Sequence, residues 1–390
     1  MPKYPDFADR CASVTGSVFE KFRSKMQSQG DRMVGLHIGD SYAAPPYDLP
    51  LDKGFISDHP GFNRYCDTFG VRELREAIAE KLQKENRLSV DADEIMMTAG
   101  ACNALNVSTQ GLVNPGEDIM LLSPYWPFFR GMVHLAGGNP IEVPFYTRLY
   151  EEPDLDIVSY LEHHLTPSTV AVYVNTPNNP SGKVLNRSQL DQIGKFAKHH
   201  RLWLVSDEAY DGMTYDDHVH LTTASFPGMF DQTLSIFTFS KVYMFSGLRL
   251  GYVVARKPVL RNLNKMMVHQ LYSPPTVAQQ MMVEPVRTRA EWSGKFVTHF
   301  QELRDRFAER FRPQTQVPEG TYYFFFPIDK LLNGRGYWEV INDCLDAGVA
   351  VAPGQDFGRD YADWIRVCFT GEAPDRLDLA IERLNTVFPG

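Results

Sequence analysis

The chain predicts an α/β fold in which a mainly parallel sheet is covered on both faces by helices. Short apolar runs alternate with amphipathic stretches between residues 94 and 254, as strands joined by crossover helices do. Three of these runs, at 170–174, 202–205 and 234–237, end in polar segments: Asn175-Thr176-Pro177-Asn178-Asn179-Pro180-Ser181-Gly182, Ser206-Asp207-Glu208-Ala209-Tyr210 and Thr238-Phe239-Ser240-Lys241. Open α/β sheets hold their ligands at the carboxyl ends of strands, so these segments mark the candidate site.

Taken in order, Phe7, Val14, Val18, Phe22 and Met26 recur at helical spacing and predict a helix within the first thirty residues. Val34 to Tyr42 reads as a short strand running into a loop, and residues 63–79 as a loop entering an amphipathic helix. The apolar strand 94–98 continues into Ala99-Gly100-Ala101-Cys102, small residues that turn into a helix. Backbone N–H groups at such a helix start favour an anion. Strands follow at 118–122 and 140–143, then a helix near 155–163 and a crossover helix at 187–199. Further helices are expected at 259–267, after the turn at 272–276, and over 292–311, with late strands at 319–326 and 364–369. His163 and His164 are adjacent and diverge on a helix, and no comparable ligand set exists in the sequence, so no metal site is expected.

Composition narrows the function classes. A net charge of −9 without any long basic run argues against a nucleic-acid partner. No window approaches the roughly 18 apolar residues of a membrane span, and Met1 to Arg10 lacks the apolar stretch of a signal peptide, so a cytoplasmic protein is expected. Five scattered cysteines without C-x-x-C spacing fit reduced thiols. A nicotinamide enzyme of α/β type would need a glycine fingerprint that is missing here.

Two cations carry the chemistry. Lys241 lies beside the hydroxyls of Thr238 and Ser240, with apolar flanks and Arg249 eight positions on. A neighbouring cation and partial burial lower an ammonium pKa, which a lysine needs in order to join a carbonyl. Arg366 stands alone in the apolar run Trp364 to Phe369. An arginine there is costly unless it meets an anion, and a bidentate grip on a carboxylate is its natural role.

With Asn179-Pro180-Ser181-Gly182, Asp207 and Tyr210, Ser240-Lys241 followed by Gly247 and Arg249, and a late arginine in this order, the chain resembles the pyridoxal-phosphate-dependent aminotransferases of fold type I, the aspartate aminotransferase superfamily (class I/II). The resemblance spans essentially the whole chain. It implies a large domain at 46–285, built on a mainly parallel seven-stranded sheet covered by helices. A smaller α+β domain would come from both termini, 1–45 and 286–390. It implies pyridoxal 5'-phosphate as cofactor and transfer of an amino group between an L-amino acid and a 2-oxo acid. A β-eliminating carbon–sulfur lyase or an amino-acid cyclase would use the same residues and stays open.

The resemblance also implies roles. Lys241 would form the Schiff base and move the α-proton, Asp207 would pair with the pyridine nitrogen, and Tyr210 and Asn179 would bind the ring oxygen. Trp126, in Pro124-Tyr125-Trp126-Pro127, would stack on the ring. Gly100, Ala101, Cys102, Thr238 and Arg249 would hold the phosphate, with Tyr65 reaching across a homodimer with shared active sites and Thr276 assisting there. Arg366, Asn179 and Gly39 would take the substrate's α-carboxylate. In the bacterial aspartate aminotransferases that the chain resembles, a lysine stands where Cys102 aligns and helps bind the second carboxylate. A thiol does not serve there, so a neutral, aromatic or unusual amino donor is expected rather than aspartate.

Overall fold

The computed structural model describes residues 4, 6–12, 14, 16, 22–49 and 60–389. Its first strand, β1 (Val34–Gly35), is followed by seven that form one sheet: β2 (Ile95–Thr98), β3 (Asp118–Ser123), β4 (Asn139–Pro144), β5 (Thr169–Asn175), β6 (Trp203–Asp207), β7 (Thr233–Thr238) and β8 (Gly251–Val254). Their order is β2-β8-β7-β6-β5-β3-β4. Only β8 runs antiparallel to its neighbours; all other pairs are parallel. Every residue of β2, β3, β7 and β8 is buried, the pattern of strands covered on both faces.

Alternation along β3 shows the two layers. Ile119 and Leu121 join one apolar cluster, with Leu105, Phe129 and Leu260. Met120 and Leu122 join another, with Leu190, Ile193 and Phe196. The helices that supply these contacts follow α1 (Arg23–Ser28) and α2 (Arg72–Glu85): α3 (Gly100–Leu112), α4 (Pro127–Leu135), α5 (Ile157–Glu162), α6 (Arg187–His199) and α7 (Lys257–Gln270). The start of α6 is fixed by a reciprocal cap. The Gln189 N–H donates to Asn186 Oδ1, and the Asn186 N–H donates to Gln189 Oε1, both at 3.0 Å.

After α8 (Thr276–Met281) and the long α9 (Arg289–Arg310), a second, antiparallel sheet forms from β9 (Tyr323–Pro327), β11 (Ala352–Pro353) and β12 (Trp364–Cys368), in the order β11-β12-β9. A short strand, β10 (Val349–Ala350), pairs in parallel with β1, so the amino-terminal segment is held by the carboxy-terminal third of the chain. No helix among the described residues is long and apolar enough to cross a membrane.

Two expectations need correction. Within the first thirty-two residues, the helical segments described are α1 and short 3-10 turns, among them Asp9–Cys11 and Gly30–Arg32; Phe7 is 81% exposed, and Val18 lies outside the described residues. Apolar spacing over a short segment is weak support for a helix, because nucleation is costly and packing supplies most helical stability. Conversely, α10 (Tyr337–Asp346) and α11 (Pro374–Val387) have no counterpart in the sequence reading. Their signal is nevertheless present: α11 opens on Pro374 and buries Leu377, Ala380, Ile381 and Leu384 at helical spacing.

A buried ionic cluster fixes the segment that follows β6. Lys81 of α2 is paired with the Asp211 carboxylate. Arg289 of α9 donates to the Asp211 carbonyl at 2.9 Å and pairs with Glu85. Burial pushes the Lys81 ammonium down to about 8, with Asp211 opposing. Asp211→Ala leaves Lys81 buried without its anion and should cost about 3–5 kcal/mol in urea unfolding. A loss below about 1 kcal/mol would show that the cluster does not hold this segment.

Candidate active site

At the carboxyl ends of β3, β5, β6 and β7 a cavity of about 700 Å3 opens, with Gly39, Tyr323, Phe357 and Arg366 on its opposite wall. It brings together Lys241, Asp207, Tyr210, Asn179, Arg366 and Arg249, which come from well-separated parts of the chain. Ala101, Cys102, Trp126 and Thr238 line it as well.

Lys241 follows β7, and its Nζ donates to the Gly39 carbonyl at 2.5 Å. Burial holds its ammonium below the usual lysine range; Asp40 opposes the shift, and Arg366 and Arg249 add to it. Asp207 closes β6. Its carboxylate accepts from the Tyr173 hydroxyl at 2.7 Å and from the Ala209 N–H at 3.1 Å. Burial raises this carboxyl to about 6, with the two hydrogen bonds pulling the other way. Asn175, at the end of β5, ties two strand ends together: its Nδ2 donates to the Asp207 carbonyl at 2.9 Å, and its Oδ1 accepts the Asn179 N–H at 2.7 Å.

Arg366 is 6% exposed, and its guanidinium lies over the rings of Tyr323 and Phe357, at 4.2 and 4.9 Å from their centroids. It donates to Asn179 Oδ1 at 2.9 Å and to the His37 carbonyl at 2.7 Å. Its Nε is buried without a hydrogen-bond partner among the described residues. A buried guanidinium among the cavity's lining residues, with N–H groups not used by Asn179 or His37, suits an anionic oxygen.

At the other end, α3 begins at Gly100 with no side-chain cap. A methyl group on Gly251 of β8 would stand 2.7 Å from the Gly100 carbonyl carbon and 2.8 Å from the Ala101 nitrogen, so a bare backbone is required there. Gly100 itself has φ +79°, and a methyl group on it would lie 3.0 Å from Arg249 Nη2. Uncapped N–H groups at a helix start beside a guanidinium suit a phosphate. Thr238 and Ser240 are joined there by hydrogen bonds of 3.0 and 3.1 Å.

Two tyrosines have neighbours that the sequence reading did not name. Tyr210 is buried, but its hydroxyl is 2.6 Å from the hydroxyl of Tyr323, a residue to which the sequence reading assigns no part in the site. Tyr65 lies outside the cavity of its own chain. It is 81% exposed and packs edge-on against Tyr272, with ring centroids 4.9 Å apart. Thr276 is beside it, donating to the Arg64 carbonyl at 2.7 Å. No sequence signal separates Tyr323 from Tyr322. The antiparallel register, Arg366 opposite Phe325 and Cys368 opposite Tyr323, is what puts Tyr323 on the face of Arg366. Among the described residues no cluster of His, Cys, Asp or Glu is arranged to hold a metal ion.

The chain as a whole is similar to known proteins. The family described as aminotransferase class I and II matches residues 39–384. The aspartate aminotransferase of Pyrococcus abyssi is 32% identical over 97% of both chains. Aromatic-amino-acid aminotransferase 2 of Thermococcus litoralis is 30% identical, also over 97% of both. The solved structure of the Thermus thermophilus aspartate aminotransferase with maleate superposes with a TM-score of 0.85 at 29% identity, covering 98% of this chain and 99% of that one.

The Asp207 carboxyl has a pH consequence. Its folded value lies above the unfolded one, so its contribution is favourable below about pH 4 and is lost as pH rises through about 6. In the cofactor-free protein, wild type measured against Asp207→Asn should lose about 2 kcal/mol of unfolding free energy between pH 4 and pH 8. Urea titrations at both pH values read the difference, and parallel pH profiles for the two proteins would refute it.

Proposed function

This chain belongs to the class I and II aminotransferases, and from that premise we propose which of its residues hold pyridoxal phosphate and serve amino-group transfer. The observation that carries the proposal is that one cavity sets Lys241, Asp207 and the buried Arg366 around a single space. The residues fit the cofactor. Asp207 is a buried carboxylate with no ion pair among the described residues, as a partner for a protonated ring nitrogen would be, and the uncapped start of α3 beside Arg249 suits the phosphate. When bound, the cofactor acts as an electron sink for negative charge at the amino acid's α-carbon.

The chain's own residues do the rest. Lys241 Nζ would hold the cofactor's aldehyde and, once released, would move the proton at the α-carbon; its lowered pKa favours the neutral amine that this needs. The Asp207 carboxylate would keep the proton on the ring nitrogen. Tyr210 and Asn179 would donate to the ring oxygen, and Trp126 would stack on the ring. Gly100, Ala101 and Cys102 N–H groups, with Thr238 and Arg249, would hold the phosphate. Arg366 grips the α-carboxylate beside Asn179 and Gly39, orienting the α-carbon as well as binding it.

For the amino donor, the cavity walls favour an aromatic or neutral side chain. Trp126, Phe128, Leu105 and Phe357 line it, while Cys102 keeps its proton because desolvation raises its thiol. Arg130 and Arg359 also reach the cavity; Arg130 pairs with the Glu142 carboxylate at 3.3 Å, whereas the Arg359 guanidinium donates to the Glu142 main-chain carbonyl at 3.2 Å. The names of the relatives include both aspartate and aromatic amino acids. We place Tyr65 on the phosphate of a second copy's site, in keeping with its exposure outside its own cavity.

Protein loaded with pyridoxal phosphate should absorb visible light, and Lys241→Ala should lose that absorption and turnover together; an active variant would sink the assignment. Added singly without an oxo acid, an aromatic amino acid should discharge the band about tenfold or more faster than aspartate. The reverse order would replace the donor class and leave the reaction standing. The shared site is tested with chains carrying Lys241→Ala and Tyr65→Ala. Their mixed dimers contain one fully native site if Tyr65 crosses, so mixing should restore tight cofactor retention at about half of the Lys241 sites. No recovery would remove the crossing.

A further inference from the structure

Tyr323 touches the site at three points. Its hydroxyl is 2.6 Å from Tyr210 Oη, its ring lies beneath Arg366, and a methyl group on Gly39 would overlap its hydroxyl. Gly39 in turn accepts from Lys241 Nζ. The phenol thus stands among Arg366, Tyr210 and the glycine that accepts the Lys241 ammonium.

The two phenols share one oxygen–oxygen contact but carry two protons. Burial raises both well above the ordinary tyrosine range, so both stay protonated at neutral pH. One proton lies between the oxygens and the other must point elsewhere. Neither hydroxyl has another hydrogen-bond partner among the described residues. If Tyr210 were the donor, it would have no proton left for a ligand in the cavity. Charge decides the order: the Arg366 guanidinium over the Tyr323 ring favours loss of positive charge from that phenol, which makes Tyr323 the better donor.

We propose that Tyr323 is a positioning residue whose phenol donates to Tyr210 Oη and thereby turns the Tyr210 proton into the cavity, toward the ring oxygen of pyridoxal phosphate. The inference rests on the reading of the cavity as that cofactor's site. A donor aimed at the ring oxygen favours the form of the bound cofactor that carries more negative charge, and a relayed hydrogen bond strengthens the donor it feeds. Tyr323 therefore lowers the pH at which the visible band titrates.

The test is the pH titration of that band in loaded wild type, Tyr323→Phe, Tyr210→Phe and the double variant. Tyr323→Phe keeps the ring under Arg366 and removes only the hydroxyl. Its titration midpoint should move up by about 0.5–1 pH unit, the scale of one net hydrogen bond, with KM for the amino donor within about twofold of wild type. In the Tyr210→Phe background the same substitution should shift nothing further, because it acts through Tyr210. An unchanged or lowered midpoint in Tyr323→Phe, or an equal shift in both backgrounds, overturns the proposal. Gly39→Ala must displace the Tyr323 hydroxyl and should shift the midpoint in the same direction, which keeps the test alive should Tyr323→Phe fail to load. A wild type with no visible band would overturn the cofactor reading itself and this inference with it; a titrating wild type with an unshifted Tyr323→Phe would overturn this inference alone.

Discussion

A guanidinium removed from water governs the construction of the cavity. Arg366 sits in the middle of an antiparallel strand, 6% exposed, and taking such a charge out of solvent is costly unless its donors and its charge are met. The chain meets them from three distant places. Asn179 comes from the loop after β5, the His37 carbonyl from the segment after β1, and the rings of Tyr323 and Phe357 from the carboxy-terminal third. Each contact holds two parts of the chain together, and the guanidinium N–H groups that these contacts leave free can meet an anion. Binding and folding share the same constraint here.

On the opposite wall the organising element is the large sheet. Because β5, β6 and β7 run parallel, their polar carboxyl ends all emerge on one side. Asn175 then laces the ends of β5 and β6 together, so that Asn179 and Asp207 are set by one side chain. Close backbone approaches do the remaining positioning. Gly251 lets β8 run against the start of α3, and Gly39 leaves room for the Tyr323 hydroxyl. A side chain at either glycine would separate surfaces that the site needs in contact.

Much of this was legible in the chain. Lys241, Asp207, Tyr210, Asn179, Arg249 and Arg366 were readable because each stands in a local pattern, at a strand end or isolated in an apolar run, and the structure gathers all six into one cavity. The large sheet was legible for a similar reason, since buried strands leave apolar runs of recognisable length. The amino-terminal helix was overdrawn, because a few apolar positions carry little information without a surface to pack on. Tyr323 was invisible. Its neighbour Tyr322 has the same chemistry, and only the pairing of β9 with β12 decides which ring faces Arg366.

The sequence by itself therefore determined the fold class, the order of strands and helices along most of the chain, and the residue types able to do amine chemistry. Those depend on short-range spacing and on the identity of single side chains. The tertiary structure decided everything that depends on two segments meeting. It set the hydroxyl contact between Tyr210 and Tyr323, the closure of Gly39 over the Lys241 ammonium, the buried Lys81–Asp211 pair and the exposure of Tyr65 away from its own cavity. Contacts between segments hundreds of residues apart follow from strand register and burial, and neither is written in local sequence.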